Sequence, residues 1–429
     1  MQQIRGACVW PAILKIVTGG FAALGNRDFT LYLCSRFFAS IATQMVVMAV
    51  GWQVYHITGR VLDLGLIGLS QFLPFLCLVL FSGHVADQFD RRMIIMLGHC
   101  AYATCTLLLL GFAWMNIKTT LPIFGVLAIL GITRAFQMPA AQSFVPNIVP
   151  TATLRNALAI NSSANQVAAI VGPSIGGIVY ALAAGRMGQD SGAGVVYGAA
   201  AALLLVAITL VALIRKRRSP FARSVLAWST LLQGLHFVWQ RKTVLGAISL
   251  DLFAVLFGGA TALLPAYTRD VLHAGPDVFG YLRAAPAIGA GATAVWLAFR
   301  PVSRHVGVTM FAGVAAFGVA TVVLGLTHLF WVAMMALVIL GIGDMISVFV
   351  RALLVQLQTP DEIRGRVSAV TSVFIGASNE LGEFESGTTA AWFGLVPAIV
   401  IGGAATIIVT ILWARVFFPA LWRMQTFEH

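Results

Sequence analysis

The stretch that decides the fold is GHVADQFDRR, Gly83–Arg92, which separates two long apolar runs. A membrane-spanning helix needs roughly 20 apolar residues. Backbone groups in lipid must find partners within the protein, so apolar runs of this length must be helices. Arg91 and Arg92 are suited to anchor the turn between the two apolar runs at the membrane surface. The sequence therefore predicts two spans joined by a short interfacial loop.

The same pattern extends in both directions from this loop. The chain has 429 residues, of which 59% are hydrophobic and 10% charged, whereas a soluble domain carries about 25% charged residues. A soluble globular protein is thereby excluded. Twelve apolar runs predict twelve spans, at residues 31–56, 63–86, 93–114, 119–141, 155–184, 193–214, 244–268, 275–298, 305–326, 329–352, 364–390 and 394–418.

The basic residues predict the orientation. Of the 27 Lys and Arg residues, 19 fall in the segments that share a side with the N-terminus, and four fall in the loops on the other side. Loops rich in Lys and Arg stay in the cytoplasm, so we expect both termini inside. The expected location is a bacterial cytoplasmic (inner) membrane. The net charge of +12 is thus explained without a nucleic-acid partner.

The longest polar connection, RKRRSPFARS and the residues after it, divides the chain at its midpoint. We interpret it as a solvated linker between two sets of six helices. The predicted organisation is a cytoplasmic N-terminal segment (1–27), an N-terminal six-helix bundle (28–214), a cytoplasmic central loop (215–243), a C-terminal six-helix bundle (244–418) and a cytoplasmic tail (419–429).

The two halves are weakly repeated. A shift of 210 residues places Gly131 on Gly341 and Gly172 on Gly382 without gaps. Parallel six-helix repeats form a binding site at their interface, near the middle of the bilayer. We therefore expect an all-α integral membrane protein with twelve transmembrane helices in two pseudo-symmetric bundles around a central pathway.

Two motifs resemble a known family. GHVADQFDRR resembles the signature loop of the major facilitator superfamily, G-x-x-x-D-R/K-x-G-R/K-R/K, but departs from it at Gln88 and Asp90. AAIVGPSIGG, residues 168–177 of the fifth span, resembles the exporter-associated motif of that family. This likeness implies the major facilitator fold, a gating loop and a close-packed fifth helix. The residues implied are Gly83, Asp87, Arg91 and Arg92 for the loop, and Gly172, Pro173, Gly176 and Gly177 for the helix.

Shorter stretches are similar to one branch of the superfamily, the enterobactin-exporter-like group of bacterial transporters. They are NRDF (26–29), Arg134, VPN (145–147) and TPDEIRGR (359–366). The resemblance implies transport by alternating access, and export rather than import.

Charges inside spans cost roughly 2.5–3.5 kcal/mol each, so each needs a reason. In the family that the chain resembles, helices one, four, seven and ten line the cavity. The substrate-cavity candidates are Arg36, Arg134, Asp251 and Asp344, with Asn165 on the fifth span. Arg134 and Asp344 are related by the repeat and could bind substrate or form a structural pair, and Arg36 could instead extend to the lipid headgroups.

Three carboxylates occur within six residues of the eleventh span: Glu380, Glu383 and Glu385. Glu380 and Glu383 are three residues apart and share a helix face, whereas Glu385 points elsewhere. Two buried carboxyls that repel each other favour binding of a proton by one of them. These residues are therefore the proton-coupling candidates. Pairing with Arg283, or exposure at the outer surface, is the alternative.

The leading interpretation is a proton-driven secondary transporter that exports an amphipathic small molecule, such as a siderophore, drug or metabolite. A lipid or lysolipid translocase of the same fold is the alternative. An integral membrane enzyme is less favoured, because the sequence has no HExxH motif and no metal-ligand cluster. The expected partners are the lipid bilayer, a small-molecule substrate and protons. No cofactor, no metal and a monomeric state are expected.

Overall fold

The structure is a computed structural model, and it describes residues 22–188, 191–215, 228–302, 304–360 and 363–427. Most of the predicted N-terminal segment lies outside the described residues. So do the side chains of the loop candidates Gly83 and Asp87.

Twelve long helices follow one another in the described chain. Each predicted span coincides with one of them. They are α1 Arg27–Thr58, α2 Val61–Gln88, α3 Arg91–Trp114, α4 Leu121–Ile148, α5 Thr151–Met187, α6 Ser191–Ala212, α7 Lys242–Phe257 with its continuation through short turns to Val271, α8 Pro276–Phe299, α9 Val306–Leu326, α10 Phe330–Gln358, α11 Arg364–Phe393 and α12 Leu395–Leu412 with a π-helical continuation Trp413–Phe417.

Eleven of these described helices are long and apolar enough to cross a membrane. The exception is α11, which has 30 residues but is the most polar of the twelve. It packs lengthwise against α2 and α7, both of which qualify as spans. Its length and its neighbours make it the twelfth membrane helix, and its polarity marks it as a helix that faces the protein interior.

The first helix shows how the sequence sets a boundary. The Asn26 side chain accepts hydrogen bonds from the backbone N–H groups of Asp28 (3.0 Å) and Phe29 (3.4 Å), as an N-cap does. The same side chain donates to the backbone oxygen of Ile148 at 2.7 Å, which ties the start of α1 to the end of α4. At the other end, Gly59 adopts a left-handed conformation with φ of 61° and stops the helix.

The packing of the helices repeats between the two halves. In the first half α2 packs on α4 and α3 on α6, and in the second half α8 packs on α10 and α9 on α12. The contacts between halves are also related, since α5 packs on α8 and α11 packs on α2. The predicted arrangement of two pseudo-symmetric six-helix bundles is therefore confirmed.

One repeated glycine explains part of this symmetry. A Cβ atom on Gly131 of α4 would overlap the backbone of Gln71 on α2. A Cβ atom on its repeat mate Gly341 of α10 would overlap the backbone of Pro286 on α8. Both positions need glycine because two helix backbones meet there.

The central connection differs from the prediction. Trp228–Gln240 forms a helix, here called the connecting helix, whose buried Val238 packs with Val244, Val355 and Val367. Arg366 of α11 donates a hydrogen bond to Gln233 of the same helix. The interpretation of residues 215–243 as a solvated linker is therefore wrong for this part. An apolar helix face lies against the ends of α7, α10 and α11, which removes it from water.

Candidate functional site

A cavity of about 570 Å³ lies within the first bundle. Its lining includes Tyr32 and Arg36, near the start of α1, and Gln142, near the end of α4. These residues lie toward the end of the molecule where α1 begins and where α2–α3 and α4–α5 are joined, here called the basic end. The volume is within the range of small-molecule binding sites, about 300–1,000 Å³.

A second cavity of about 200 Å³ adjoins the first and lies between the bundles. Gln44, Val47, Gln71 and Arg134 line both cavities. The second bundle contributes Ala262, Pro265, Phe279, Arg283, Glu380 and Glu383 to the smaller one. Residues from both halves thus enclose a common space in the middle of the molecule.

Arg134 and Glu380 form an ion pair across this space. The Arg134 Nη1 and Glu380 Oε1 atoms are 2.6 Å apart, and the two side chains are 41% and 13% exposed. The guanidinium also lies over the Phe75 ring, 5.4 Å from its centroid. The pair joins α4 of the first bundle to α11 of the second, so it connects two bodies that a rocking motion would separate.

Glu383 lies one helical turn after Glu380 and lines the same small cavity. A Cβ atom on Gly68 of α2 would lie 3.2 Å from the Glu383 Cβ, so the glycine makes room for this side chain. Glu383 interacts electrostatically with Glu380, Arg283 and Arg134. Two carboxylates and two arginines therefore form one cluster, here called the central charge cluster.

Glu385 is separate from the central charge cluster. Its Oε1 accepts a hydrogen bond of 2.6 Å from the Thr389 hydroxyl, one turn further along α11. It lines neither of the two cavities. Of the three proton-coupling candidates, the structure brings together Glu380 and Glu383.

Arg36 and Asn165 lie on the wall of the large cavity. Arg36 donates a hydrogen bond of 3.1 Å to the Tyr32 hydroxyl, and Ser40 donates one of 3.1 Å to Asn165 Oδ1. These contacts hold both polar groups at the cavity surface.

Asp251 and Asp344 line neither cavity. Asp251 of α7 is 4% exposed and forms an ion pair with Arg351 of α10, which is 3% exposed. Asp344 interacts electrostatically with both. The structure thus places these two substrate-cavity candidates inside the second bundle, and it pairs Arg134 with Glu380 instead of Asp344.

The glycines of the helix-five motif bring α5 close to two other helices. A Cβ atom on Gly176 would lie 3.3 Å from the Met45 Cα of α1, and one on Gly177 would lie 3.0 Å from the Gly280 Cα of α8. Gly172 faces Gln44 of α1. The motif therefore forms part of the contact between the bundles, far from the basic end.

We expect Gly177→Val to block transport while leaving the protein folded. The added side chain would push α5 from α8, and overpacking of this kind costs about 1–3 kcal/mol. A cost of this size shifts the equilibrium between two conformations by roughly five- to 150-fold. Flux in proteoliposomes measures the effect.

The matched control is Gly185→Val on the same helix, where nothing lies within 4 Å of an added Cβ. Equal flux in the two variants would show that close approach of α5 and α8 is not required.

Arg91 and Arg92 of the loop motif bind helix ends. Arg91 donates to the Ser143 oxygen of α4 at 3.1 Å. Arg92 donates to the backbone oxygens of Val211 at 3.1 Å and Ala212 at 2.6 Å, at the end of α6. Cations at helix C-termini stabilise the last carbonyl groups. The two arginines thus join α3 to α4 and α6 at the basic end.

The end opposite the basic end is held by contacts between α1 and α7. The Tyr55 hydroxyl donates a hydrogen bond to Asp270, and the Arg269 guanidinium lies 5.7 Å from the centroid of the Tyr55 ring. Trp52 stacks on Phe279 of α8 with centroids 5.8 Å apart. The bundles therefore meet at this end, while the large cavity extends to the basic end.

The comparisons with known proteins agree with this architecture. A family model described as "Transmembrane secretion effector" matches residues 18–426. The chain belongs to this family of the major facilitator superfamily. It is a multi-pass membrane transporter that acts on small molecules, and it is not an enzyme.

Two relatives are similar in sequence to this major facilitator protein over most of its length. The multidrug efflux pump Tap of Mycolicibacterium fortuitum is 26% identical over 385 residues, which cover 85% of this chain and 90% of the relative. The enterobactin exporter EntS of Citrobacter koseri is 24% identical over 391 residues, which cover 90% of each chain.

Solved structures show the same fold. A bacterial homologue of the human lysosomal transporter Spinster, in an inward-facing and occupied conformation, matches with a TM-score of 0.69 at 17% identity. The match covers 92% of this chain and 97% of that one.

The sequence did not reveal the partners of the buried charges, although a signal for them exists. Arg134 lies 14 residues before the end of α4 at Ile148, and Glu380 lies 16 residues after the start of α11 at Arg364. Both helix ends are on the same side, and each residue advances a helix by 1.5 Å. Counting depth from that side would have placed the two charges at nearly the same level.

Proposed function

We propose that this major facilitator protein exports amphipathic small molecules from bacterial cytoplasm, driven by protons, through alternating access. The basic end is the cytoplasmic side in this proposal, so both termini are cytoplasmic. The large cavity then extends to the cytoplasm, while the contacts around Tyr55 and Gly177 close the outer side. The similarity to efflux pumps and to a siderophore exporter supports the direction of transport.

The observation that carries the proposal is the ion pair between Arg134 and Glu380. It joins the bundles at the point where the two cavities meet. A proton on Glu380 removes the charge that Arg134 binds, and loss of one partner of a half-buried pair is costly for the other. Proton binding and the contact between α4 and α11 are therefore linked, as coupling requires.

Glu383 gives the mechanism a second carboxyl. In the cluster, Glu380 is held by Arg134, whereas Glu383 lies beside Gly68 and near Arg283. In the proposed cycle, a proton from the outer side loads this pair, the bundles rock, and the proton leaves through the cytoplasmic cavity. Substrate moves in the opposite direction through the same space.

The test is flux in proteoliposomes of the purified chain under an imposed pH gradient. Fluorescent amphiphiles of different charge serve as substrates. We expect at least one of them to move against its own gradient, and we expect a protonophore to stop this movement. Equal flux with and without the gradient would overturn proton drive. Movement of lysolipids alone would favour a lipid translocase.

A further inference from the structure

The charges around the large cavity are unequally distributed. The described residues that line it include two arginines, Arg36 and Arg134, and no carboxylate. The two carboxylates of the central charge cluster line the smaller cavity, on the other side of Arg134. The space with room for a ligand therefore has positively charged walls.

Both arginines keep donors for a ligand. Arg36 is bound by a hydrogen bond to the Tyr32 hydroxyl, and the described residues place no carboxylate in an ion pair with it. Arg134 donates a hydrogen bond from Nη1 to Glu380, while its side chain remains 41% exposed. A guanidinium carries five N–H donors in a planar fork, which fits the oxygens of a carboxylate, sulfonate or phosphate.

The remaining wall suits an amphipathic body. Amide side chains such as Gln137 and Asn165 lie among Val47 and Met138, and Tyr102 adds an aromatic side chain to the wall. A pocket of apolar lining with a few polar groups fixes the orientation of a ligand. Charged walls also concentrate ions of the opposite sign within a cleft.

We propose that the substrate of this cavity is an organic anion with an apolar or aromatic body, whose anionic group binds between Arg36 and Arg134. The proposal rests on the proposed function and names its substrate class. The anionic group could be carried by a free small molecule or by a lipid headgroup, and the cavity within the first bundle favours the free molecule. An anion that leaves the cytoplasm also moves with the membrane potential, which favours its export.

The experiment compares two dyes with one ring system and opposite charge. Binding of fluorescein, an anion, and of rhodamine 6G, a cation, to the purified full-length protein is measured by fluorescence anisotropy. We expect fluorescein to bind and rhodamine 6G to bind at least about tenfold more weakly. A single charge-assisted contact is typically worth that ratio or more. Equal binding of the two dyes, or a preference for rhodamine 6G, would overturn the proposal.

The variants locate the site. Arg36→Gln and Arg134→Gln are each expected to weaken fluorescein binding at least about tenfold. The double variant Arg134→Gln/Glu380→Gln leaves no unpaired charge behind and is expected to bind fluorescein as weakly as Arg134→Gln. The control is Arg300→Gln, which removes the same charge from an exposed position at the end of α8. Unchanged binding in both cavity variants would overturn the proposal.

A third arm separates the sources of the anion. Competition by lysophosphatidylglycerol, an anion, is compared with competition by lysophosphatidylcholine, a zwitterion with no net charge. We expect fluorescein to bind directly and neither lysolipid to displace it. If fluorescein fails to bind and only lysophosphatidylglycerol binds in an Arg36-dependent manner, the ligand is a lipid and the proposal is wrong. These binding measurements need no proton gradient, so their failure is distinguishable from failure of proton-driven export.

Discussion

Glu380→Gln and Glu383→Gln are each expected to abolish proton-driven flux while leaving the protein folded. Glutamine keeps the size and most hydrogen bonds of glutamate, but its side-chain amide cannot bind and release a proton as a carboxyl group does. Glu380 forms the ion pair with Arg134, and Glu383 shares the small cavity with it. We expect flux under a pH gradient to fall to the level of empty proteoliposomes.

The matched control is Glu385→Gln. This third carboxyl lies on the same helix, but it is bound by Thr389 and lines neither cavity. We expect this variant to keep its flux. If Glu380→Gln and Glu383→Gln also transport normally under the same gradient, α11 has no part in proton coupling. If Glu385→Gln fails as well, the geometry of the central charge cluster is not what selects the coupling residues.

Arg351→Met is expected to cause the largest loss of stability among the substitutions considered. Arg351 and Asp251 are paired with side-chain exposures of 4% and 5%, and Asp344 lies within electrostatic reach. Removal of one partner of a buried pair costs about 3–5 kcal/mol, because the other charge remains buried without compensation. We expect a lower melting temperature in detergent and less protein in the membrane.

The double variant Asp251→Asn/Arg351→Met separates charge from packing. It removes both members of the pair, so we expect it to recover part of the stability that Arg351→Met loses. Arg415→Met changes an exposed arginine at the end of α12 and is expected to be neutral. A single Arg351→Met variant as stable as the parent chain would contradict a structural role for the pair.

Much of the fold follows from local rules that a sequence displays directly. The length of an apolar run sets a span, and the Gly83–Arg92 stretch sets a turn, because both depend on neighbours along the chain. The structure narrows this turn to Phe89 and Asp90, since α2 continues to Gln88 and α3 begins at Arg91. Repeated glycines such as Gly131 and Gly341 also indicate close packing, because a small residue lets two helix backbones meet. The two-bundle arrangement was therefore predictable, and α11 was predicted as a span although its polar residues lower its hydropathy.

The site was predictable only in part. Arg36, Arg134, Glu380 and Glu383 were identified because a charge in an apolar helix requires a reason. Which charges pair depends on the depth and the rotation of helices that are distant in sequence. Counting residues from the helix ends gives the depth, but the sequence does not give the rotation of one helix against another. Asp251 was therefore expected to face the cavity, whereas Arg351 shields it within the second bundle.

The connecting helix was missed for a different reason. Leu235 and Val238 are three residues apart, which is the spacing of an apolar helix face. The basic run before it, RKRRSPFARS, dominated the interpretation of the whole segment. A window restricted to residues 228–240 would have indicated an amphipathic helix.

The connecting helix has a practical consequence for observing the transport cycle. Because its apolar face packs against α7, α10 and α11, the proposed alternating access would carry it along with the second half of the molecule. A paramagnetic probe at exposed Trp239 and another at exposed Met93 of α3 would therefore sit on bodies that move apart or together. Their separation would report each turnover from the membrane surface, without any label in the path of the substrate.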